Sequence, residues 1–264
     1  MVRHHQRSSV GELTAHQVMV RILGGVFVIV GVVGWWLYHQ RTRERVPGQE
    51  GIDDQTVVDA YVRANRLPPW QLLRRMVVAR AAAMVISGEA VDLGCGPGYL
   101  SVALVKRIPA LHVIGVDLSE DMLALGQAEV RRSGVEDRVS FRLGDVRQLP
   151  FEDSSLDFVI STLSLHHWRD PVVVLDEIER VLVPGGSYLI FDFRRDLTPP
   201  FYVLLWIITH FIAPRPLRRI REPLSSRDAA YTPTEAAQMA TRSRLSGWRI
   251  VAGLVWLWIE GTKA

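Results

Sequence analysis

The chain has 264 residues, 48% of them hydrophobic, which suits one globular domain with an appendage. Its single cysteine, Cys95, excludes an intrachain disulfide and a cysteine-rich metal site. The formal charge of +3 is modest, and no dense basic stripe with interleaved aromatics occurs, so nucleic acid is not expected as a partner.

Residues 1–17 are a polar tail rich in Arg and His, and residues 18–38 are apolar apart from Arg21. The spacing predicts a transmembrane helix over 18–38, roughly 31 Å long, with Trp35, Trp36 and Tyr38 at one end as an interfacial belt. A signal peptide would carry a shorter apolar run and a small-residue cleavage site, which His39-Gln40-Arg41 lacks. A buried core helix is disfavoured by Gly24, Gly25, Gly31 and Gly34, which weaken helices in water. Arginines flank both ends equally, so the positive-inside rule sets no orientation. Residues 39–55, with Pro47, Gly48 and Gly51, read as a linker. Helices are expected over about 56–66 and 70–86, separated by Pro68-Pro69 and ending near Ser87-Gly88.

Residues 90–100 read Ala-Val-Asp-Leu-Gly-Cys-Gly-Pro-Gly-Tyr-Leu, a short buried strand running into a glycine-dense turn and then a helix. A helix starting near Tyr99 would aim free N–H groups at a ligand. The dinucleotide fingerprint needs glycine at the sixth position, where this chain has Tyr99. Strands and helices then alternate as in a parallel sheet covered on both faces. The expected order is helix 99–107, strand 111–118, a helix capped by Ser119 and closed by Gly134, strand 139–143 and strand 156–162. A helix opened by Asp170-Pro171 follows, and Pro184-Gly185-Gly186 turns into strand 187–193. Asp117 closes the second strand about 20 residues beyond the glycine turn, the place where a ribose diol is gripped.

The spacing Asp92-x-Gly94-x-Gly96-x-Gly98 resembles motif I of the class I S-adenosylmethionine-dependent methyltransferases. Leu156-Asp157-Phe158-Val159-Ile160 together with Pro184-Gly185-Gly186 resembles the type-11 branch, which includes quinone-biosynthesis C-methyltransferases. The resemblance covers roughly residues 56–262. It implies an α/β, Rossmann-like, doubly wound seven-stranded sheet, mostly parallel with an antiparallel C-terminal strand, and S-adenosyl-L-methionine as cofactor. It also implies a cofactor site of Asp92, Gly94, Cys95, Gly96, Gly98, Asp117, Leu118, Asp145 and Val146. In that site the glycine loop lies under the methionine part and Asp117 holds the ribose. Asp145 accepts from the adenine amino group, the Val146 amide meets the ring, and Leu118 packs on its face. Use of the cytosolic cofactor pool implies a catalytic domain facing the cytoplasm.

Beyond the fifth strand, 201–213 is almost wholly apolar, follows Pro199-Pro200 and precedes Arg215, Arg218, Arg219 and Arg221. Residues 199–223 form an insertion that is either a membrane-facing cap, a lid over an apolar pocket, or a core helix. Thr232-Pro233-Thr234-Glu235 is a capping box opening a helix to about Gly247, and 248–251 with 254–260 read as a closing hairpin.

Ser161, Ser164 and Trp168 are candidates for the substrate pocket, and His166 and His167 for a catalytic base. Either histidine alone is equally well read as a buried structural residue. Adjacent residues point apart and no carboxylate or cysteine completes a set at helical spacing, so no metal is expected. Asp192 and Tyr99 are weaker candidates. The reading is a single-pass membrane-anchored methyltransferase acting on a small or lipophilic acceptor. Its alternatives are a tethered S-adenosylmethionine-binding module without catalysis and an NAD-type oxidoreductase. The acceptor atom and the oligomeric state have no signature in the sequence.

Overall fold

Near-continuous apolar runs along the central strands dictate a sheet buried on both faces. The computed structural model describes residues 15–41, 44–48 and 54–264, with the side chains of 15–18, 22 and 36–41 outside the description. Of the expected tail at 1–17, residues 1–14 lie outside the described residues, as do 42–43 and 49–53 of the expected linker at 39–55. Two compact units emerge, residues 1–43 and residues 44–264.

Among the described residues the first unit is the helix α1 (Ala15–Arg41). Its described apolar side chains, among them Leu23, Phe27, Ile29 and Trp35, are exposed. The expected membrane span at 18–38 falls within this helix. Among the described residues, however, no helix is long and apolar enough to cross a membrane.

The second unit begins with α2 (Gln55–Asn65) and α3 (Pro68–Ala81). Pro68 and Pro69 occupy the first turn of α3, where the missing N–H groups cost nothing, so the pair opens a helix rather than separating two. The expected helix to residue 86 stops at Ala81 and turns lead to strand β1 (Ser87–Leu93), which starts three residues earlier than the apolar run suggests. Then follow α4 (Tyr99–Arg107), β2 (Ala110–Asp117), α5 (Glu120–Ser133), β3 (Val139–Leu143), β4 (Leu156–Thr162), α6 (Pro171–Val181) and β5 (Leu182–Phe193). β5 is longer than expected at its start. Leu182 pairs with Leu156 before a register shift, and Pro184-Gly185-Gly186 forms the irregularity within the strand instead of a turn preceding it. The chain closes with α7 (Pro199–Ile207), a π-helical turn (Ile208–Ile212), α8 (Arg215–Arg219), α9 (Leu224–Ala229), α10 (Pro233–Arg242), β6 (Arg249–Ala252) and β7 (Trp256–Thr262). The Thr232 and Glu235 capping box opens α10 as expected, but the helix ends at Arg242, five residues before Gly247.

The strand order is β3-β2-β1-β4-β5-β7-β6, parallel except for β7, which runs antiparallel to both neighbours. Period-two alternation sorts the core. Val91, Leu93, Val159, Ile190 and Ile259 meet α6 and α10 on one face, and Ala90, Phe158, Ile160, Phe191 and Trp258 meet α3, α4 and α5 on the other. Each fully buried aliphatic or Phe side chain contributes about 1.5–3 kcal/mol. A third, small cluster joins Val57 and Ala60 of α2 to Ala213 and Leu217. The 199–223 insertion therefore rests on α2, while its Leu204, Phe211 and Ile212 stay exposed.

Candidate functional site

β1 and β4 are neighbours although their helical connections leave on opposite sides, and ligands of such sheets bind beyond the carboxyl ends at this switch point. The register delivers chemistry to that edge. Asp92 and Leu93 close β1 opposite Ile160 and Ser161, Asp117 closes β2, and Thr162 pairs with Phe191 just before Asp192.

The loop after β1 is fastened from two sides. The amides of Gly94 and Cys95 donate to the Val116 carbonyl, and the amide of Gly96 donates to Asp117 Oδ2 at 2.8 Å. Gly94 and Gly96 have φ values of +66° and +50°, which favour glycine at both positions. A Cβ on Gly94 would collide with the Ser164 hydroxyl, whereas one on Gly96 would meet nothing within 4 Å and would enter open space. Cys95 is buried, its sulfur lies over Gly115, and burial pushes its thiol pKa well up. A filler role fits that placement.

Asp92 is buried and accepts from the Ser101 hydroxyl at 2.7 Å, tying the strand end to the first turn of α4. Burial pushes its pKa to about 7; the Ser101 hydrogen bond opposes this rise and the nearby Asp117 adds to it. Asp117 accepts from the amides of Gly96 and Ser119, and burial raises its pKa against those donors. Leu118 beside it is 52% exposed, an apolar face left open where a planar ring could pack. Asp145 is held below the ordinary carboxylate range by Arg147, which forks onto both of its oxygens at 2.6–3.1 Å. Val146 is half-buried against the core.

An open cleft runs along the glycine loop, and its walls include residues the sequence did not single out. Tyr61 and Asn65 of α2 and Trp70 and Arg74 of α3 face Asp92, Gly94, Gly96 and Tyr99 across it. The spacing of Trp70, Leu73 and Arg74 on α3 could have flagged one helical face, but nothing in it names a ligand. Thr162 also lines the cleft, and its hydroxyl is buried with no partner among the described residues. Free glycine backbone, an orphaned hydroxyl and acidic groups at strand ends together fit an adenosyl amino-acid ligand.

The five candidates at and after the end of β4 have different surroundings. Ser161 is buried and donates to the Leu93 carbonyl at 2.9 Å, a bond that ties β4 to β1. Ser164 accepts from the Trp168 indole at 2.9 Å beneath Gly94, and Trp168 packs in the core. His166 and His167 share a 3-10 turn (Leu165–His167) that curls their rings to 4.1 Å between centroids, so they do not point apart as expected. His166 is buried. Its Nδ1 lies 2.8 Å from Asp192, its backbone amide donates to the same carboxylate, and its Nε2 has no partner among the described residues. Burial works against the imidazolium, yet the Asp192 charge and hydrogen bond outweigh it and leave the pKa above the ordinary value. A buried histidine oriented at Nδ1 by a carboxylate and unpartnered at Nε2 among the described residues has a ring nitrogen able to accept a proton.

Residues 91–190 match the family described as Methyltransferase domain. A demethylmenaquinone methyltransferase of Clavibacter sepedonicus is 38% identical over 156 residues, covering 58% of this chain and 60% of that protein. Among solved structures, a proposed S-adenosyl-L-methionine-dependent methyltransferase of Methanococcus maripaludis superposes with a TM-score of 0.62 at 20% identity, covering 83% of this chain and 97% of that one. Phosphoethanolamine N-methyltransferase 2 of Haemonchus contortus, in complex with S-adenosyl-L-methionine, gives 0.61 at 18% identity, covering 80% and 57%. This chain spans about 60% of the length of the Clavibacter relative. The family match covers residues 91–190, and the solved structures share the fold of this chain.

Proposed function

We propose that this chain is a methyltransferase that uses S-adenosyl-L-methionine to methylate a small, lipophilic acceptor of the quinone-precursor class at a membrane surface. The observation that carries the reading is the convergence of Asp92, the Gly94 to Gly98 loop and Asp117 at the switch point, beside the Asp192-oriented His166. When bound, the cofactor supplies a sulfonium-activated methyl group. Asp92 would hold its ammonium, Asp117 its ribose diol and Leu118 its base. Asp145 would reach the adenine amino group with lone pairs left over from Arg147. His166 Nε2 would take the proton of the acceptor's hydroxyl, raising the electron density of the ring or oxygen that attacks the methyl. Placement and proton removal are then the protein's contributions, and alignment alone can supply effective molarities of ~10⁵–10⁸ M.

The quinone-like acceptor is supported by the Clavibacter relative's name and by the apolar 199–212 surface. Membrane attachment through α1 is supported by the exposed apolar side chains between Met19 and Trp35, and the catalytic unit would then face the cytosolic cofactor pool. The test is turnover by the full-length chain in detergent, with labelled cofactor and either a prenylated naphthoquinol or a water-soluble amine as acceptor. The expected result is S-adenosylhomocysteine release and a singly methylated quinol. Folded protein that binds the cofactor yet methylates neither acceptor would favour the tethered binding module, and methylation of the amine alone would remove the quinone class.

A further inference from the structure

Residues 44–48, whose composition reads as part of a linker, lie across the turn that carries His166. Arg45 is partly buried there, and its guanidinium forks onto two main-chain carbonyls, Nε donating to Ala229 at 2.7 Å and Nη2 to His166 at 3.0 Å. The guanidinium carbon stands 4.1 Å from the centre of the Tyr231 ring, within cation–π range. The Val46 amide donates to the Asp228 carbonyl at 3.1 Å. A Cβ on Gly48 would come 3.2 Å from His167 Nδ1, so the backbone passes close over the second histidine as well.

These contacts close a circuit around the histidine turn. On its inner side Asp192 accepts from the imidazole and the amide of His166, and on its outer side Arg45 holds the carbonyl of the same residue. The other carbonyl in the fork, that of Ala229, ends α9, and the stretch after it is fastened to the chain leaving β5. There the Arg195 amide donates to the Tyr231 carbonyl and Arg195 Nη1 to the Ala230 carbonyl at 2.6 Å. A guanidinium keeps its N–H groups in one rigid plane, so gripping two carbonyls at once fixes the spacing of the segments that bear them. Asp192 sets the ring and the inner edge of the turn, and Arg45 sets its main chain from the opposite side.

We propose that Arg45 is a positioning residue for the methyl transfer: by clamping the His166 and Ala229 carbonyls together, it sets where His166 Nε2 stands relative to the acceptor. The proposal rests on the reading of His166 as the base. It makes residues 44–48 part of the catalytic unit rather than a spacer.

The test compares wild type, Arg45→Ala, Arg45→Lys and His166→Ala as full-length chains in detergent. Each is measured by amide hydrogen exchange and by turnover of the naphthoquinol or the amine with labelled cofactor. In the wild type the amides of His166, His167 and Trp168 donate to Asp192, Ser164 and Leu165. Arg45→Ala should speed their exchange by roughly 10- to 100-fold, the range for losing a hydrogen bond to a charged group, while the amides of β1 exchange as in wild type. Its kcat should fall by about 10- to 100-fold with the KM for S-adenosylmethionine within about twofold of wild type, since the loss is one of alignment. Arg45→Lys, whose ammonium grips one carbonyl at a time, should recover part of both. Unchanged exchange at 166–168, exchange raised equally throughout the sheet, or an unchanged kcat in a chain that needs His166 would overturn the assignment. Turnover by His166→Ala at the wild-type rate, or a wild type that methylates neither acceptor, would instead overturn the reading of His166 beneath it.

Discussion

Asp192 holds His166 at two points, accepting from the imidazole at Nδ1 and from the backbone amide at 2.8 Å each, so ring tautomer and loop position are fixed by one carboxylate. Asp192→Asn should therefore lower kcat by about 10²–10⁴ with little change in cofactor affinity. The pH profile separates catalysis from packing. With Asp192 present the His166 pKa lies above its ordinary value, so the rate should rise with pH through a limb above about 6.5. Without the carboxylate, burial dominates and the limb should move to lower pH. An unmoved limb would leave His166 a structural residue.

Phe141 lies where Gly98, Gly115 and Gly126 each leave out a side chain. A Cβ at 115 would sit 2.6 Å from the Phe141 ring and 2.7 Å from Cys95 Sγ. Gly115→Ala should destabilise the fold by about 1–3 kcal/mol through overpacking, with Phe141→Leu added to the same chain recovering part of the loss. Urea denaturation midpoints measure both, and an unchanged midpoint for Gly115→Ala would contradict the packing described.

Glu260 is buried on β7 and bonded by Arg80 of α3 and Arg249 of β6. Burial opposes its charge, but the two arginines prevail and hold its pKa below the ordinary value. Because the native pKa is depressed, this stabilisation is present above the unfolded value of 4.5 and disappears as pH falls through the native one. Arg80→Ala should cost on the order of 1–3 kcal/mol at pH 7, less than a fully buried pair because Arg80 is partly exposed, and the deficit should shrink below about pH 4. Thermal midpoints at pH 3.5 and pH 7 check the slope.

Local signals carried most of the sheet. β3 and β4 fall where alternation and flanking turns put them, and Ser119 and Thr232 cap their helices as their types require. Boundaries slipped where backbone geometry outweighed composition, as at the Pro68-Pro69 pair and the irregularity in β5. The strand-end acids were legible because a glycine loop and a parallel sheet fix their place. Arg74, Asn65 and Tyr61 were not, since only the folding of α2 and α3 over the loop brings them to the cleft. The pairing of Asp192 with His166 is likewise a fact of register, with the end of β5 beside the end of β4, that no spacing in the chain announces.

Asp92 links stability and binding with opposite signs. Its native pKa of about 7 lies above the ordinary 3.8, so the folded chain holds a proton there that the unfolded chain releases. The sign follows: this contribution is complete below about pH 4 and is lost as pH rises through 7. Asp92→Asn keeps an oxygen for Ser101 and carries no charge to bury. Relative to wild type it should be stabilised at pH 8 by on the order of 1–3 kcal/mol and by less at pH 5. The same change removes the proposed partner of the cofactor's ammonium, so S-adenosylhomocysteine affinity should fall about 10- to 100-fold, and wild-type affinity should rise between pH 6 and pH 8 as the carboxylate ionises. Calorimetry across pH and thermal scans at pH 5 and 8 measure the two effects on the same protein. A variant less stable than wild type at pH 8 would show that Asp92 is ionised and paired in the free protein, and the binding slope with pH would then be absent.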